Sequence, residues 1–101
     1  MSKQNQLPEY LKETATGDFE ITFAKSLDID GAKVGVIVMR EPTVQDLLAA
    51  EMQSKGQSDA VQEIMMFSNL CSVTPDQIKA ATLKDYRRIQ EAFKQIGRAH
   101  V

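Results

Sequence analysis

The chain has 101 residues, of which 43% are hydrophobic and 26% are charged. These values are typical of one globular domain, and they exclude an intrinsically disordered chain or two independent cores. With 12 Lys and Arg against 14 Asp and Glu, the net charge of -2 argues against a dedicated binder of nucleic acid or of an anionic membrane. The single Cys excludes an internal disulfide, and no run approaches the ~20 apolar residues of a membrane span.

Residues 1–17 form a polar N-terminal arm with a small apolar group at Leu7, Tyr10 and Leu11. Pro8 is compatible with the start of a short helix, because proline is favoured in the first helical turn. A frayed arm without regular structure is the other interpretation, and the sequence leaves both open. We expect the folded domain itself to span residues 18–95.

A β-hairpin is predicted next, because apolar residues alternate with others over residues 19–24 and again over residues 34–38. The dipeptide Asp30-Gly31 is a strong signal for a two-residue type I′ turn. This turn sets a register whose facing pairs are Ile29 with Ala32, Asp28 with Lys33, Leu27 with Val34 and Phe23 with Val38. In this register Val34, Val36 and Val38 point towards the core, and Asp28 and Lys33 form an opposite-charge pair on the other face.

Four helices are predicted after the hairpin, the third of them short. Their N-caps are Thr43 for the first, Ser58 or Asp59 for the second, Thr74 with Pro75 for the third, and Thr82 for the last. Three of the helices carry stripes that we expect to face the core. The stripe is Val44, Leu47, Leu48 and Met52 on the first helix, and Val61, Ile64, Met65 and Leu70, with Phe67 beside them, on the second. On the last helix it is Leu83, Tyr86, Ile89, Gln90 and Phe93. An isolated hairpin is only marginally stable and needs cover. The predicted fold class is therefore α+β, with an N-terminal β-hairpin packed on a small bundle of about four helices.

The chemically reactive side chains do not form a recognisable catalytic, cofactor or metal site. The only His is His100, and Cys71 lies at the end of an apolar helix, where a buried core residue is expected rather than a reactive thiol. These two residues fall short of the four ligands of a zinc site, and the glycines form neither a P-loop nor a dinucleotide-binding motif. Asp28-Ile29-Asp30-Gly31 lacks the remaining ligands of a calcium loop. We therefore predict a protein that is not an enzyme and takes no cofactor.

The last predicted helix carries a basic cluster that suggests an alternative function. Its members are Lys84, Arg87, Arg88 and Lys94, placed around Tyr86 and Phe93. Such clusters contact phosphates, so a small nucleic-acid-binding regulator is possible. Because Asp85 and Glu91 interrupt the cluster, a solvated helix face is the preferred interpretation.

Three segments occur in an order typical of one protein family. They are Arg40-Glu41-Pro42-Thr43-Val44 with the following Asp46–Ala50, then Asn69-Leu70-Cys71 leading into Val73–Asp76, and finally Leu83–Phe93. Together with the turn at Ile29-Asp30-Gly31, these segments resemble the Mu-like phage tail assembly chaperones over about residues 19–94.

The resemblance implies a non-enzymatic chaperone that binds the phage tape measure protein, keeps it soluble and hands it to tail tube subunits. It implies action in the host cytoplasm and absence from the mature virion. A longer form made by ribosomal frameshifting would recruit the tail tube protein, and self-association into a homo-oligomer is expected. A structural or scaffolding subunit, which would persist in finished particles, is a further alternative.

The family supplies no client-contact residues to transfer, so partner-binding residues are predicted from charge and from the adaptable methionine side chain. They are Arg40, Met52, Met65, Met66, Arg87 and Arg88. Arg40 is also predicted to pair with Asp46 or Asp85.

Residues 96–101 look foreign to the family. Ile96-Gly97-Arg98-Ala99-His100-Val101 is the peptide obtained by translating a common sequencing adapter up to its stop codon. We therefore predict a non-native tail after Gln95, in which case His100 has no functional meaning.

Overall fold

The computed structural model describes the backbone of residues 7–98 and the side chains of residues 7–96. The elements in chain order are β1 (Leu11–Glu13), β2 (Phe19–Ile29), β3 (Ala32–Met39), α1 (Val44–Gln53), α2 (Asp59–Cys71), α3 (Pro75–Ala80) and α4 (Leu83–Arg98). The strands form an antiparallel sheet in the order β1-β2-β3. The predicted α+β class and the order of hairpin and four helices are confirmed.

The N-terminal arm contributes a third strand rather than a helix. Leu11 pairs with Ile21 of β2 and is 5% exposed. The chain reverses between Thr14 and Asp18, where the Thr14 N–H donates to the Asp18 carbonyl at 2.8 Å and Gly17 has a φ of 90°. The short helix considered from Pro8 is therefore wrong, because this turn lets residues 11–13 pair their backbone groups with β2. Residues 1–6 lie outside the described residues.

The turn of the β2–β3 hairpin agrees with its prediction. Asp30 and Gly31 both have positive φ, 53° and 85°, as a type I′ turn requires. The three pairs nearest the turn have the predicted register. Lys33 Nζ lies 3.1 Å from the Asp28 carboxylate, and both side chains are exposed.

The register changes further from the turn, at a bulge in β2. Residues 23–26 lie between the pairs Leu27–Val34 and Thr22–Val36, opposite the single residue Gly35. Between these two pairs, β2 therefore has three residues more than β3. An odd excess reverses the face to which the rest of β3 points, because side chains alternate with a period of two.

The two faces of β3 are therefore exchanged beyond the bulge. Ile37 and Met39 are buried at 5% and 0% exposure, whereas Val36 and Val38 are 46% and 45% exposed. The predicted pair of Phe23 with Val38 and the inward direction of Val36 and Val38 are wrong for this reason.

The core lies between the inner face of the sheet and the helices, with Phe67 of α2 at its centre. The Phe67 ring is fully buried and lies 5.5 Å from the Phe93 ring and 5.7 Å from the Tyr86 ring. Other buried apolar side chains are Phe19, Ile21, Met39, Leu70, Ile78, Ile89, Ala92 and Ile96. Ile64 and Met65 pack partly buried against this core, as predicted for α2.

The inner face of α4 differs from the predicted stripe at its edges. Ile89 is buried, and Tyr86 and Phe93 pack against the core, as expected. Leu83 is 64% exposed, however, and Gln90 is exposed. The face that α4 buries completely is formed by Asp85, Ile89, Ala92 and Ile96. Because Ile96 is 1% exposed, the packed unit extends past the predicted boundary at Gln95.

Candidate interaction surface

The start of α1 is fixed by a capping box and an ion pair. The Asp46 N–H donates to Thr43 Oγ1 at 3.2 Å, and the Thr43 N–H donates to Asp46 Oδ2 at 2.8 Å. The Arg40 guanidinium donates to both Asp46 oxygens at 2.6 Å, so the predicted pairing of Arg40 with Asp46 is confirmed. The Arg40 N–H donates to the Leu70 carbonyl at 3.1 Å, which joins the end of β3 to α2.

This arrangement changes the ionisation of both charged groups. The hydrogen bonds from Arg40 lower the pKa of Asp46 far below its usual range, although partial burial acts in the opposite direction. The same hydrogen bond raises the pKa of Arg40. At neutral pH the pair is therefore fully ionised and holds α1 in a fixed direction relative to β3.

α1 packs through small and polar side chains rather than through its apolar stripe. Its buried positions are Asp46, Ala50 and Ser54, spaced by four residues along one face; Ala50 is 3% exposed and Ser54 0%. Ser54, the C-terminal cap, donates its hydroxyl to the Ala50 carbonyl at 2.5 Å. Small side chains let α1 lie close against α2 without using its larger apolar residues.

The predicted core stripe of α1 is consequently exposed. Val44 is 75% exposed, Leu47 48%, Leu48 49% and Met52 80%. The expectation that these residues face the core is wrong, because a 3-and-4 spacing shows that they share a face but not what covers that face. Exposed apolar side chains that share one helix face make that face a candidate interaction surface.

A groove of about 270 Å³ adjoins this face between α1, α2 and α4. It is lined by Leu47, Ala50, Glu51, Asp59, Gln62, Glu63, Met66, Phe67 and Phe93. Among these described residues there are three carboxylates and no Lys or Arg. We refer to the exposed α1 face and the groove together as the α1 surface.

The carboxylate of Glu63 is held in place within the groove. Its Oε1 accepts hydrogen bonds from the Tyr86 hydroxyl at 2.5 Å and from Gln90 Nε2 at 2.9 Å. Burial, and then the bond to Glu63, raise the pKa of Tyr86 well above its usual value. Tyr86 therefore stays protonated and orients Glu63.

Two of the predicted partner-binding residues, Met52 and Met66, belong to the α1 surface. Met52 lies on the exposed face, and Met66 lines the groove with 9% exposure. Met65 packs against the core, and Arg40 is engaged by Asp46.

The remaining two, Arg87 and Arg88, lie on α4 away from the α1 surface. Arg88 donates to the Thr22 carbonyl at 2.7 Å and lies 4.6 Å over the Tyr10 ring, so it joins α4 to the sheet. Arg87 is exposed. The structure does not bring the six predicted residues into one site. Val44, Leu47 and Leu48, which the sequence assigned to the core, lie beside Met52 instead.

The four residues of the predicted basic cluster on α4 differ in their surroundings. Arg88 faces the sheet, and Lys94 Nζ lies 3.7 Å from Glu91. Lys84 and Arg87 remain exposed. Lys84, Arg87 and Arg88 line one cavity beside Tyr10, so three of these four basic side chains stay close together.

The side chains of residues 7–96 form no metal-binding group and leave the Cys71 thiol buried. No three His, Cys, Asp or Glu side chains of this part of the chain are placed to hold a metal ion. Cys71 is buried at 6% exposure, which confirms its assignment to the core, and burial raises its pKa to about 12. None of the helices described is long and apolar enough to cross a membrane. The α1 surface thus offers apolar area and negative charge to a partner.

A family model described as phage tail assembly chaperone proteins, E, or 41 or 14, matches residues 20–96. Neither the curated proteins nor the solved structures contain a match. The matched residues include the β2 bulge, all of α1 and every residue of the groove. The chain therefore belongs to the phage tail assembly chaperone family, with a role in tail assembly and partners among phage tail proteins.

Proposed function

We propose that this chaperone binds the tape measure protein of its phage and keeps it soluble while the tail is built. The observation that supports the proposal most directly is the α1 surface. It leaves four large apolar side chains exposed on one helix, beside a groove lined by apolar residues together with three carboxylates. A long client with exposed apolar stripes would otherwise aggregate, and covering those stripes prevents this.

The proposed mechanism is reversible shielding without covalent chemistry. Binding to the client has to be tight enough to suppress aggregation and weak enough for tail tube subunits to displace the chaperone. Several copies would cover one client, assisted by self-association of the chaperone. A longer frameshifted form would bring the tail tube protein to the same complex. The chaperone would act in the host cytoplasm and be absent from the mature virion.

The test is co-expression with the tape measure protein encoded by the same phage, followed by size-exclusion chromatography with light scattering. The tape measure protein expressed alone is the control and should precipitate. We expect a soluble complex that contains several copies of the chaperone per client. An insoluble client beside a free chaperone would contradict the proposal.

Two further measurements address the alternatives. Mass spectrometry of purified virions should not detect the chain, whereas a structural or scaffolding subunit would persist there. Affinity for double-stranded DNA should be weak, whereas a nucleic-acid-binding regulator would bind tightly, with an affinity that falls steeply as salt increases.

A further inference from the structure

We propose that the α1 surface binds an amphipathic helix whose apolar stripe is flanked by Lys or Arg. This inference rests on the proposed function and identifies the kind of client segment that the surface takes. It depends on three features of the surface: its apolar extent, its helical walls and its charge.

The apolar extent matches a short helical stripe. Val44 and Met52 are eight residues apart on α1, which corresponds to about 12 Å of helix. Leu47 belongs both to the exposed face and to the groove, so the two are continuous. Apolar residues at 3-and-4 spacing on a second helix would cover this length with about two turns. Met52 and Met66 adjust to side chains of different shape.

The walls of the surface favour a helix over an extended peptide. The groove is walled by regular helices, including α1 and α2, whose interior backbone groups pair within each helix. An extended peptide would lay unpaired N–H and C=O groups on the apolar part of this lining, formed by Leu47, Met66, Phe67 and Phe93, where they lose hydrogen bonds to water. A helix pairs its own backbone groups before it binds.

The charge of the surface selects the flanking residues. Glu51, Asp59 and Glu63 line the groove, and no Lys or Arg is found among its described lining residues. The cavity beside Tyr10 on the other side of α4 is basic, since Lys84, Arg87 and Arg88 line it. Cationic residues beside the partner's stripe therefore meet opposite charge in the groove and like charge at the cavity beside Tyr10, which favours association in one orientation.

A second copy of the chain fits the α1 surface less well. Two copies joined through the same surface would bring the carboxylates of Glu51, Asp59 and Glu63 towards their equivalents, which is unfavourable. The basic helix α4 of another copy already uses its apolar side for its own core. Among the large apolar residues of α4, only Leu83 is strongly exposed.

The first experiment uses the full chain and two synthetic helical peptides of about 20 residues. Both peptides carry the same leucine stripe, flanked by Lys in one and by Glu in the other. Binding is measured by fluorescence anisotropy in about 0.05 M and about 0.5 M salt. We expect the Lys peptide to bind at least about tenfold more tightly at low salt, with a smaller preference at high salt. Equal affinity for both peptides, or no binding of the Lys peptide, would overturn the inference.

Variants of the chaperone test where on its surface the peptide binds. Leu47→Gln with Met52→Gln should weaken binding of the Lys peptide about tenfold, because it removes apolar contacts. The matched control is Val36→Gln with Val38→Gln, which changes valines of similar exposure to Leu47 on the sheet and should leave affinity within about twofold. Glu51→Lys with Asp59→Lys should reverse the preference between the peptides. An equal loss in the sheet variant would overturn the proposed location.

The same variants separate this inference from the proposed function. If the wild-type chain and the Leu47 and Met52 variant keep the co-expressed tape measure protein equally soluble, the proposed function stands and the inference fails. If the wild-type chain does not retain the client, the proposed function fails and the peptide experiment alone decides the chemistry of the surface. A fall in the light-scattering mass of the free chain in the Leu47 and Met52 variant would show that the surface holds a second copy, which would also overturn the inference.

Discussion

Asp85 at the start of α4 accepts a 2.7 Å hydrogen bond from the backbone N–H of Ala24 in the β2 bulge. Its second oxygen accepts from the Lys25 N–H at 3.0 Å. These two donors lie where the bulge interrupts the pairing of β2 with β3, and the fully buried carboxylate supplies the acceptors that β3 does not. The contact joins residues 61 positions apart, so the bulge is stabilised by tertiary structure.

We expect Asp85→Asn to lower the free energy of unfolding by about 2–4 kcal/mol. The amide of Asn offers one acceptor where two backbone donors converge, and its NH₂ group would face a donor. Urea unfolding followed by circular dichroism measures the change. Asp28→Asn is the matched control, because Asp28 forms an exposed ion pair and should change stability by no more than about 0.5 kcal/mol. Equal stabilities of the two variants would contradict this role of Asp85.

The Arg40–Asp46 pair makes stability depend on pH. Because folding lowers the pKa of Asp46, the unfolded chain binds more protons there, and stability rises with pH across this range. The contribution is fully present above the ordinary Asp pKa of about 4 and is lost as the pH falls below it towards the lower folded value. Asp46→Asn should therefore be less stable than the wild type by about 1–3 kcal/mol at neutral pH, with a smaller difference at about pH 3.

The measurement is urea unfolding of both proteins between about pH 7 and pH 3. Arg40→Lys is the companion variant, since it keeps the positive charge but loses the bidentate geometry, and it should be destabilised by about 1 kcal/mol. A difference between wild type and Asp46→Asn that stays constant with pH would contradict the assignment.

Cys71 should be unreactive in the folded protein. Burial raises its pKa to about 12, so at pH 8 the thiol is protonated as well as inaccessible. Labelling with iodoacetamide at pH 8 should be at least about a hundredfold slower in the native protein than in urea. Rapid stoichiometric labelling of a chain that circular dichroism shows to be folded would contradict the buried position.

Ile96 should stabilise the fold, because it is 1% exposed on the inner face of α4. Ile96→Ala should lower the free energy of unfolding by about 2–4 kcal/mol, and Ile96→Val by about 1 kcal/mol. Lys94→Ala, which removes an exposed side chain paired with Glu91, should cost no more than about 0.5 kcal/mol. Thermal unfolding by differential scanning calorimetry ranks the three variants, and an Ile96→Ala protein as stable as Lys94→Ala would contradict the packing.

The predicted foreign origin of residues 96–101 is a separate question, answered by resequencing the gene in its genomic context. Residues 99–101 lie outside the described residues. If another codon stands at position 96 in the native gene, we expect it to encode an apolar residue, because that position lies in the core.

The sequence alone determined the elements whose signals are local. Asp30-Gly31 fixed the turn and the three nearest pairs, because few residues other than Gly, Asn and Asp adopt two successive positive φ angles. Thr43, Ser58 and Thr74 marked the helix starts, because their side chains cap backbone N–H groups within three residues. Such signals do not depend on the rest of the chain.

Only the tertiary structure decided which apolar faces are covered. The bulge that turns Val36 and Val38 outwards is stabilised by Asp85, a residue about sixty positions away. The local sequence pattern around the bulge does not predict it. The apolar stripe of α1 shares one face by periodicity, yet the helix packs through Ala50 and Ser54 and leaves Leu47 and its neighbours exposed. Periodicity shows which residues share a helix face, whereas the burial of that face depends on which distant segments pack against it. For this reason the candidate surface was visible only in the folded chain.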